Sequence, residues 1–458
     1  MLFGTSGIRG GIKDRVTTDL SMNLGRSLGT YLRGNGKIGV GVDARTSNQM
    51  LKSSFKAGIV STGVDVVNLG LVPMPTAAYC STKHGISASV VITASHNPPT
   101  DNGFKFFVNG REMIKSEEEQ ITNFLENREF LIAPWSEIGQ FSTISIRNEY
   151  LQYLKQFLMK RGKRGDSMRV LIDAANGAAS MYTPYLLTRL GFDVTTLNSN
   201  LDGHFPGRPA EPSPENLKDT MALAEAAQFP VTLCHDGDGD RVAVIDEDGN
   251  FIDQNRVIAL FAREEIKRKG EGTVLVSIDT SSVIDEVVKN EGGHIERAPL
   301  GSLQEKFAEG GHNIVLASEP WKPIFTSLGQ WMDGIAAAAR IAQMVKEQGK
   351  GSCKELMMSI PEYPMLREHI RCPDRMKKCF MKKVKGFVQE FTNVERIIEV
   401  DGVRLEFTDN SYLLIRVSGT EPKARLYIGA RSENRLHDLS DEARKMMKRA
   451  LGECKDEE

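Results

Sequence analysis

The chain has 458 residues, of which 40% are hydrophobic and 26% charged, with a net charge of −2. That length is too great for one ordinary core and predicts about two to four domains. The near-neutral balance excludes a bulk electrostatic pull toward nucleic acid or an anionic membrane, and no apolar run approaches the ~18 residues of a membrane span.

The N-terminal "MLFGTSGIRGG" has no apolar signal region, and its Gly4 to Gly11 stretch presents Arg9 from a glycine-rich turn. "IGVGVDARTS", Ile38 to Ser47, runs β-branched residues into an aspartate and a small-residue loop. A helix-like stretch and a second strand, "GVDVVNLG", follow. The same pattern returns at "VLIDAANGAA", Val170 to Ala179, with "GFDVTTLN", and at "VLVSIDTSS", Val274 to Ser282, with "GGHIERAP". A parallel crossover needs about a dozen residues or more, and each repeat supplies that length between its strands. Three repeats predict three similar mixed α/β domains, spanning residues 1–146, 147–248 and 249–360. From residue 361 to 458 the pattern changes to α+β: "GVRLEFTDNSYLLIRVSG" reads as a hairpin and Glu433 to Leu451 as a closing helix. "GVGVDA" matches a dinucleotide fingerprint formally, but Gly39 and Gly41 fall inside the strand, which predicts close strand packing instead. The six cysteines are scattered without a Cys-x-x-Cys pair, which predicts reduced thiols in a cytoplasmic protein rather than a disulfide frame or a zinc site.

Three stretches carry candidate chemistry. In "SVVITASHNPPTDNGFKFF", Ser89 to Phe107, a strand ends in Ser95-His96 and a proline-stiffened loop, with Lys105 just downstream. Adjacent side chains on an extended segment point apart, and no Gly-x-Ser-x-Gly is present, so a hydrolase triad is not expected. In "LCHDGDGDRVAVIDEDG", Leu233 to Gly249, Asp236, Asp238 and Asp240 alternate with glycines between two strands. That spacing aims three hard oxygen ligands at one point and predicts a Mg²⁺ site. A calcium loop ending at Glu247 competes, but its sixth position is Arg241, where such a loop needs glycine. In "LLIRVSGTEPKARLYIGA", Leu413 to Ala430, Ser418-Gly419-Thr420 lies between Arg416 and Arg425, which predicts a phosphate cradle. With a metal site and a phosphate cradle in one chain, Ser95 reads as a phosphoryl carrier, and Lys105 and His96 as proton-transfer and charge-stabilising groups.

"TASHNPPTDNGFK", "DGDGDR", "RVSGTEPKAR" and "GTSGIRG" resemble the four motifs of the α-D-phosphohexomutase superfamily, across nearly the whole chain. The resemblance implies four domains around a central cleft. It implies that Ser95 is a phosphoserine, that Asp236, Asp238 and Asp240 join it as Mg²⁺ ligands, and that Arg9, His96, Lys105 and Arg241 surround the transferring phosphoryl. Arg416, Ser418, Gly419, Thr420 and Arg425 would hold the substrate's other phosphate. Where most members have a sugar-binding Gly-Glu-x-Ser-Gly-His, this chain has "LASEPWKPIF", Leu316 to Phe325. Glu319 is kept, Trp321 and Pro323 replace the serine and histidine, and "EPWK" is similar to an archaeal branch of phosphoglucosamine and phosphomannose/phosphoglucose mutases. Glu319 and Lys322 are candidate sugar ligands and Trp321 a stacking face, with Trp321 and Ile324 as plain core residues the alternative. "APLGS", Ala298 to Ser302, falls at a second sugar-recognition loop. The activity implied is interconversion of hexosamine 6- and 1-phosphates through a sugar bisphosphate that also serves as activator. Phosphomannomutase/phosphoglucomutase or phosphopentomutase activity is the alternative within the family. A Mg²⁺-dependent sugar phosphatase and a silent sugar-phosphate-binding paralogue are the rivals from other classes.

Overall fold

The computed structural model describes residues 2–4, 6–159, 167–310, 313–419 and 421–456. The chain packs as two compact units, one of Met1–Gln254, Gln304–Gly310 and Trp321–Ser359, the other of Asn255–Leu303, Gly311–Pro320 and Ile360–Glu458. Among the described residues the strands form four sheets.

The first segment runs β1 (Ile8–Gly11), α1 (Thr18–Tyr31), β2 (Lys37–Val42), α2 (Asn48–Val60), β3 (Asp65–Leu71), α3 (Met74–Cys80), β4 (Ala88–Ile92), β5 (Asp101–Val108), β6 (Arg111–Glu112), α4 (Lys115–Asn127) and β7 (Phe141–Thr143). Its sheet has the order β1-β5-β4-β2-β3-β7, with β6 on β5. β2 is parallel to β3 and β4, while β5 turns back antiparallel to β4. The glycines of β2 serve packing, as expected. A Cβ on Gly41 would lie 2.3 Å from Val72 Cγ2, and one on Gly39 would lie 3.3 Å from both Leu69 and Ser89. β4 is buried on both faces, which its unbroken Ala-Ser-Val-Val-Ile run matches.

The second segment runs α5 (Arg147–Met159), β8 (Arg169–Asp173), α6 (Thr183–Arg189), β9 (Asp193–Leu197), α7 (Lys218–Ala227), β10 (Thr232–His235) and β11 (Val242–Ile245). β8 is parallel to β9 and β10, and β11 closes the sheet as an antiparallel edge. The third runs α8 (Gln254–Lys269), β12 (Thr273–Ser277), α9 (Val283–Asn290), β13 (His294–Ala298), α10 (Leu303–Glu309), β14 (Ile314–Glu319), β15 (Lys322–Phe325), α11 (Gly334–Glu347) and α12 (Cys353–Met357). β12 pairs in parallel with β13 and β14. All three expected crossovers are therefore parallel pairs: β2–β3, β8–β9 and β12–β13.

The last segment runs β16 (Met365–Arg371), α13 (Lys377–Phe387), β17 (Val394–Ile398), β18 (Val403–Phe407), β19 (Tyr412–Val417), β20 (Lys423–Gly429) and α14 (Glu433–Asp456). Its sheet is wholly antiparallel, in the order β16-β20-β19-β18-β17. The architecture is three α/β domains followed by an α+β domain. Within the second unit, the fully buried Arg404 of β18 donates to the carbonyls of Ile278 at 2.9 Å and Thr280 at 2.7 Å. It pairs with Glu406 at 2.9 Å, which meets the need of a buried cation for partners.

Two expectations change. The closing helix continues past Leu451 to Asp456. The cysteines are not all reduced: Cys379 of α13 and Cys454 of α14 form a disulfide with Cα atoms 6.0 Å apart. They are 75 residues apart in sequence, so no local spacing marks them as a pair; packing of the two helices over one core brings them together. Cys80, Cys234, Cys353 and Cys372 remain buried thiols.

Candidate active site

β4 delivers the chain into the Ser95 loop and β5 carries it away, so both ends of the loop are anchored in adjacent strands. Ser95 is fully buried and adopts a left-handed backbone, φ +52°. An L-residue pays roughly 1–2 kcal/mol for that conformation, so surrounding bonds must hold it. The Ser95 N–H donates to Thr93 Oγ1 at 2.8 Å, and the Ser95 hydroxyl donates to Asp236 Oδ2 at 2.6 Å. The segment is thus not extended at Ser95, and the expectation that its side chain points away from His96 is corrected. Ser95 Oγ lies 3.2 Å from His96 Nδ1. Burial, with Arg241, Arg9 and Lys322 adding positive charge, pushes the His96 imidazole far down and keeps it neutral.

The aspartate loop joins β10 to β11. Asp236, Asp238 and Asp240 are fully buried, and each offers a carboxylate oxygen within 4.8 Å of the others. Gly239, at φ +74°, supplies the bend, and its N–H donates to Asp236 Oδ1 at 3.0 Å. Lys105, 1% exposed on β5, places Nζ 2.8 Å from Asp238 Oδ2 and 2.6 Å from Asp240 Oδ2. Burial would raise Asp240, but Lys105, Lys322 and Arg241 outweigh it and hold that carboxyl well below the usual range. Asp236 goes the other way: burial, then the Asp240 and Asp238 charges, push it up. One ammonium therefore does not satisfy three carboxylates. Asp238 Oδ1 and Asp240 Oδ1 are buried without a hydrogen-bond partner, and a trio of hard oxygens with two spare acceptors fits a metal ion. Glu247 takes no part; its carboxylate accepts from Ser352 Oγ and, at 3.1 Å, from the Lys354 N–H at the start of α12, so the calcium-loop alternative falls.

Further cations surround this point. Arg9 sits on β1 opposite Gly103 of β5, and its Nε and Nη2 are buried without hydrogen-bond partners. Arg241 donates to Glu211 Oε1 at 2.9 Å. Lys322 is buried, with Nζ 3.9 Å from Asp240 Oδ2. Trp321 is half-buried, with φ +68°; its ring packs on the Leu217–Cys234 cluster and lies 5.8 Å from the Arg241 guanidinium. It thus combines the two expected roles, part core and part exposed face, whereas Ile324 is fully buried.

The second unit holds the remaining candidates. Glu319 is buried and accepts from the Gly301 N–H at 2.6 Å, so it braces the "APLGS" loop. Arg416 and Arg425 are directly opposed across β19 and β20. Like charges so placed repel unless anions intervene, and here Arg416 pairs with Asp401 at 2.8 Å and Arg425 with Glu421 at 2.6 Å. Ser418 donates its N–H to the Lys423 carbonyl at 2.9 Å, closing the turn, and Gly419 is exposed at its tip. Thr420 lies outside the described residues. The structure therefore gathers Arg9, Ser95, His96, Lys105, the three aspartates, Arg241, Trp321 and Lys322 in one unit, and Glu319, Arg416, Ser418, Gly419 and Arg425 in the other.

Sequence reasoning passed over Thr93, Glu211 and Asp401. The last also accepts from the Leu300 N–H at 3.4 Å, so it links the "APLGS" loop to Arg416. Only "NLDGHFPGRPAEP", dense in turn residues, could have drawn attention to Glu211. Its Arg208 braces the aspartate loop by pairing with Asp173 at 2.8 Å and donating to the His235 carbonyl at 2.7 Å.

Models of the phosphoglucomutase/phosphomannomutase domains match in four consecutive pieces: alpha/beta/alpha domain I at residues 1–131, domain II at 148–249, domain III at 253–363 and the C-terminal domain at 369–446. A phosphopentomutase of Thermococcus kodakarensis is 37% identical over 456 residues, 99% of each chain. The chain belongs to the phosphoglucomutase/phosphomannomutase family. A probable phosphoglucosamine mutase of Methanopyrus kandleri is 36% identical over 457 residues, again 99% of each chain. Among solved structures, a phosphoglucomutase/phosphomannomutase family protein of Burkholderia thailandensis superposes with a TM-score of 0.89 at 25% identity, covering 98% of this chain and 97% of that one. Parafusin, a phosphoglucomutase of Paramecium, shares the fold with a TM-score of 0.79 at 19% identity, over 98% and 95% of the two chains. Among the described residues, no helix of this family member is long and apolar enough to cross a membrane.

Proposed function

We propose that the protein is a Mg²⁺-dependent phosphosugar mutase of the cytoplasm that interconverts glucosamine 6-phosphate and glucosamine 1-phosphate, with Ser95 as the phosphoryl carrier. The observation that carries the reading is the 2.6 Å contact between Ser95 Oγ and Asp236 inside the buried aspartate trio. Asp236, Asp238, Asp240 and the Ser95 oxygen are the ligands we assign to Mg²⁺. When bound, the ion would neutralise phosphoryl oxygens and polarise the phosphorus they surround.

In the forward direction the bond between phosphorus and Ser95 Oγ breaks as a bond to the sugar's free hydroxyl oxygen forms. The hydroxyl's proton needs an acceptor and the leaving serine oxygen a donor. His96, neutral and 3.2 Å from Ser95 Oγ, is the group we assign to take up the hydroxyl's proton and deliver one to the leaving Ser95 oxygen. Lys105, held as a cation by Asp238 and Asp240, suits charge stabilisation, as do Arg9 and Arg241. The resulting bisphosphate returns its other phosphoryl to Ser95 after reversing, and free sugar bisphosphate therefore acts as activator. Arg416, Ser418, Gly419, Thr420 and Arg425 are assigned to the non-reacting phosphate, and Glu319, Trp321 and Lys322 to the sugar. The four segments 1–146, 147–248, 249–360 and 361–458 would thus carry the phosphoserine loop, the metal loop, the sugar loop and the phosphate cradle in turn. A second reading, pentose 1- and 5-phosphates as substrates, is favoured by the 37% identity to a phosphopentomutase.

The test is a panel of glucosamine, mannose, glucose and ribose 1-phosphates, assayed with Mg²⁺ and a sugar bisphosphate. Glucosamine 1-phosphate should be isomerised with only trace release of free phosphate, and peptide mass analysis should place phosphate on Ser95. Ser95→Ala should bind substrate and turn nothing over. Phosphate release at the rate of substrate loss would instead identify a phosphatase.

A further inference from the structure

Arg45 follows β2 in "VDARTS" and is 2% exposed. An arginine side chain has five N–H donors in a rigid fork, and here each finds an acceptor. Nε donates to Asp43 Oδ2 at 3.2 Å. Nη1 donates to the carbonyls of Pro98 at 2.6 Å and Asp101 at 2.8 Å, and Nη2 to those of Ser95 at 2.9 Å and Asn97 at 2.7 Å. Four of the five bonds thus go to backbone oxygens between Ser95 and Asp101, that is, to the loop that carries Ser95 and to the first residue of β5. The Phe205 ring, itself buried, covers the guanidinium with its centroid 5.1 Å away.

The other end of the Ser95 peptide is tied to the same ion pair. Asp43 Oδ2 accepts from Thr93 Oγ1 at 2.7 Å, and Thr93 Oγ1 in turn accepts the Ser95 N–H. Asp43 Oδ1 is held by Asn48 Nδ2 at 2.7 Å and by the Arg45 N–H at 2.9 Å. The carbonyl and the amide of Ser95 are therefore both fixed through one buried pair, while Ser95 itself sits at a positive φ that a serine leaves when it is free to. Relaxing that angle would swing Oγ away from Asp236.

We propose that Arg45 is the positioning residue of the Ser95 loop, its guanidinium backed by Asp43 and capped by Phe205 so that Ser95 Oγ stays aimed at the aspartate trio. The role rests on Ser95 being the phosphoryl carrier. Arg45 touches neither substrate nor phosphorus in this role; it acts only through the loop. Lysine, with three donors on a point charge, cannot span four carbonyls.

Arg45→Lys and Phe205→Leu test the role. A displacement of about 1 Å at a reacting atom costs on the order of 100-fold, so Arg45→Lys should lower kcat by about 100-fold. KM for the phosphosugar that the wild type isomerises should stay within about threefold, because ground-state contacts are untouched. Phosphorylation of Ser95 by sugar bisphosphate, followed by intact mass, should slow in parallel. Phe205→Leu keeps all five hydrogen bonds and removes only the stacked face, so kcat should fall by about 3- to 30-fold, and this variant carries the test if Arg45→Lys does not fold. A folded Arg45→Lys with wild-type kcat, or a Phe205→Leu that changes only the melting temperature, overturns the role. Ser95→Ala run alongside separates the two readings. If it stays active, the carrier reading has failed; if it is dead while Arg45→Lys runs at full rate, only the positioning role has.

Discussion

Replacing Lys105 by methionine should make the first unit depend on a divalent cation for its stability. Lys105 Nζ bonds Asp238 and Asp240 at 2.8 and 2.6 Å, and all three side chains are at most 1% exposed. Methionine keeps most of the stem's volume and removes the charge, leaving Asp238 and Asp240 without the ammonium that bonds them and only the more distant Lys322 and Arg241 beside Asp240. Breaking a buried ion pair by deleting one partner costs about 3–5 kcal/mol. At about 2–4 °C per kcal/mol for a large domain, the apparent melting temperature in chelator should fall by roughly 6–20 °C. Mg²⁺ should reverse much of this, since a ligand at about 100 times its Kd returns about 2.7 kcal/mol. Wild type should gain less, because its own ammonium competes for the same oxygens. The assay is thermal unfolding of both proteins, with chelator and with Mg²⁺, read by circular dichroism. The reasoning is refuted if Lys105→Met in chelator melts with the wild type, or if Mg²⁺ stabilises the two proteins equally.

Arg425→Ala should weaken productive binding by about 10- to 150-fold, since a charge-assisted hydrogen bond contributes about 1.5–3 kcal/mol. A phosphate site used in both orientations of the intermediate requires that loss in kcat/KM for the forward and the reverse reaction; a defect in one direction only would mean that the site serves one orientation. Glu118 supplies a pH test away from the chemistry. Burial, then the Glu112 and Glu305 charges, push its carboxyl from an ordinary 4.5 up to about 8. The folded state therefore favours the protonated form, so this contribution to stability is full below about pH 4.5 and is lost as pH rises through about 8. Glu118→Gln should melt with the wild type at about pH 4 and be more stable by about 1–2 kcal/mol at about pH 9, the range allowing for solvent screening. Equal melting at both pH values would show that neither burial nor the Glu112 and Glu305 charges raise the Glu118 carboxyl.

Much of the architecture was legible because its signals are local. β-branched runs ending in aspartate, small-residue loops and a dozen or more residues of helix before the next strand define a parallel crossover wherever they occur, and all three were found. The same locality made Asp236, Asp238 and Asp240 readable as one site, since strict alternation with glycine leaves a tight loop few other uses. The cysteine expectation failed for the matching reason. Cys379 and Cys454 are paired by the packing of two helices 75 residues apart, and nothing near either residue records it.

By itself the sequence determined which side chains were chemically capable and which strands, turns and loops would present them, because propensity, periodicity and turn chemistry act over a few residues. Only the tertiary structure decided how those side chains met. It brought Ser95 Oγ to Asp236 across 141 positions and Lys105 to Asp240 across 135. It also turned Ser95 left-handed against its own preference and spent all five donors of Arg45 on holding that turn. Such geometry is set by the summed packing of sheets that are distant in sequence, and a backbone angle that a serine resists arises only where other groups compel it.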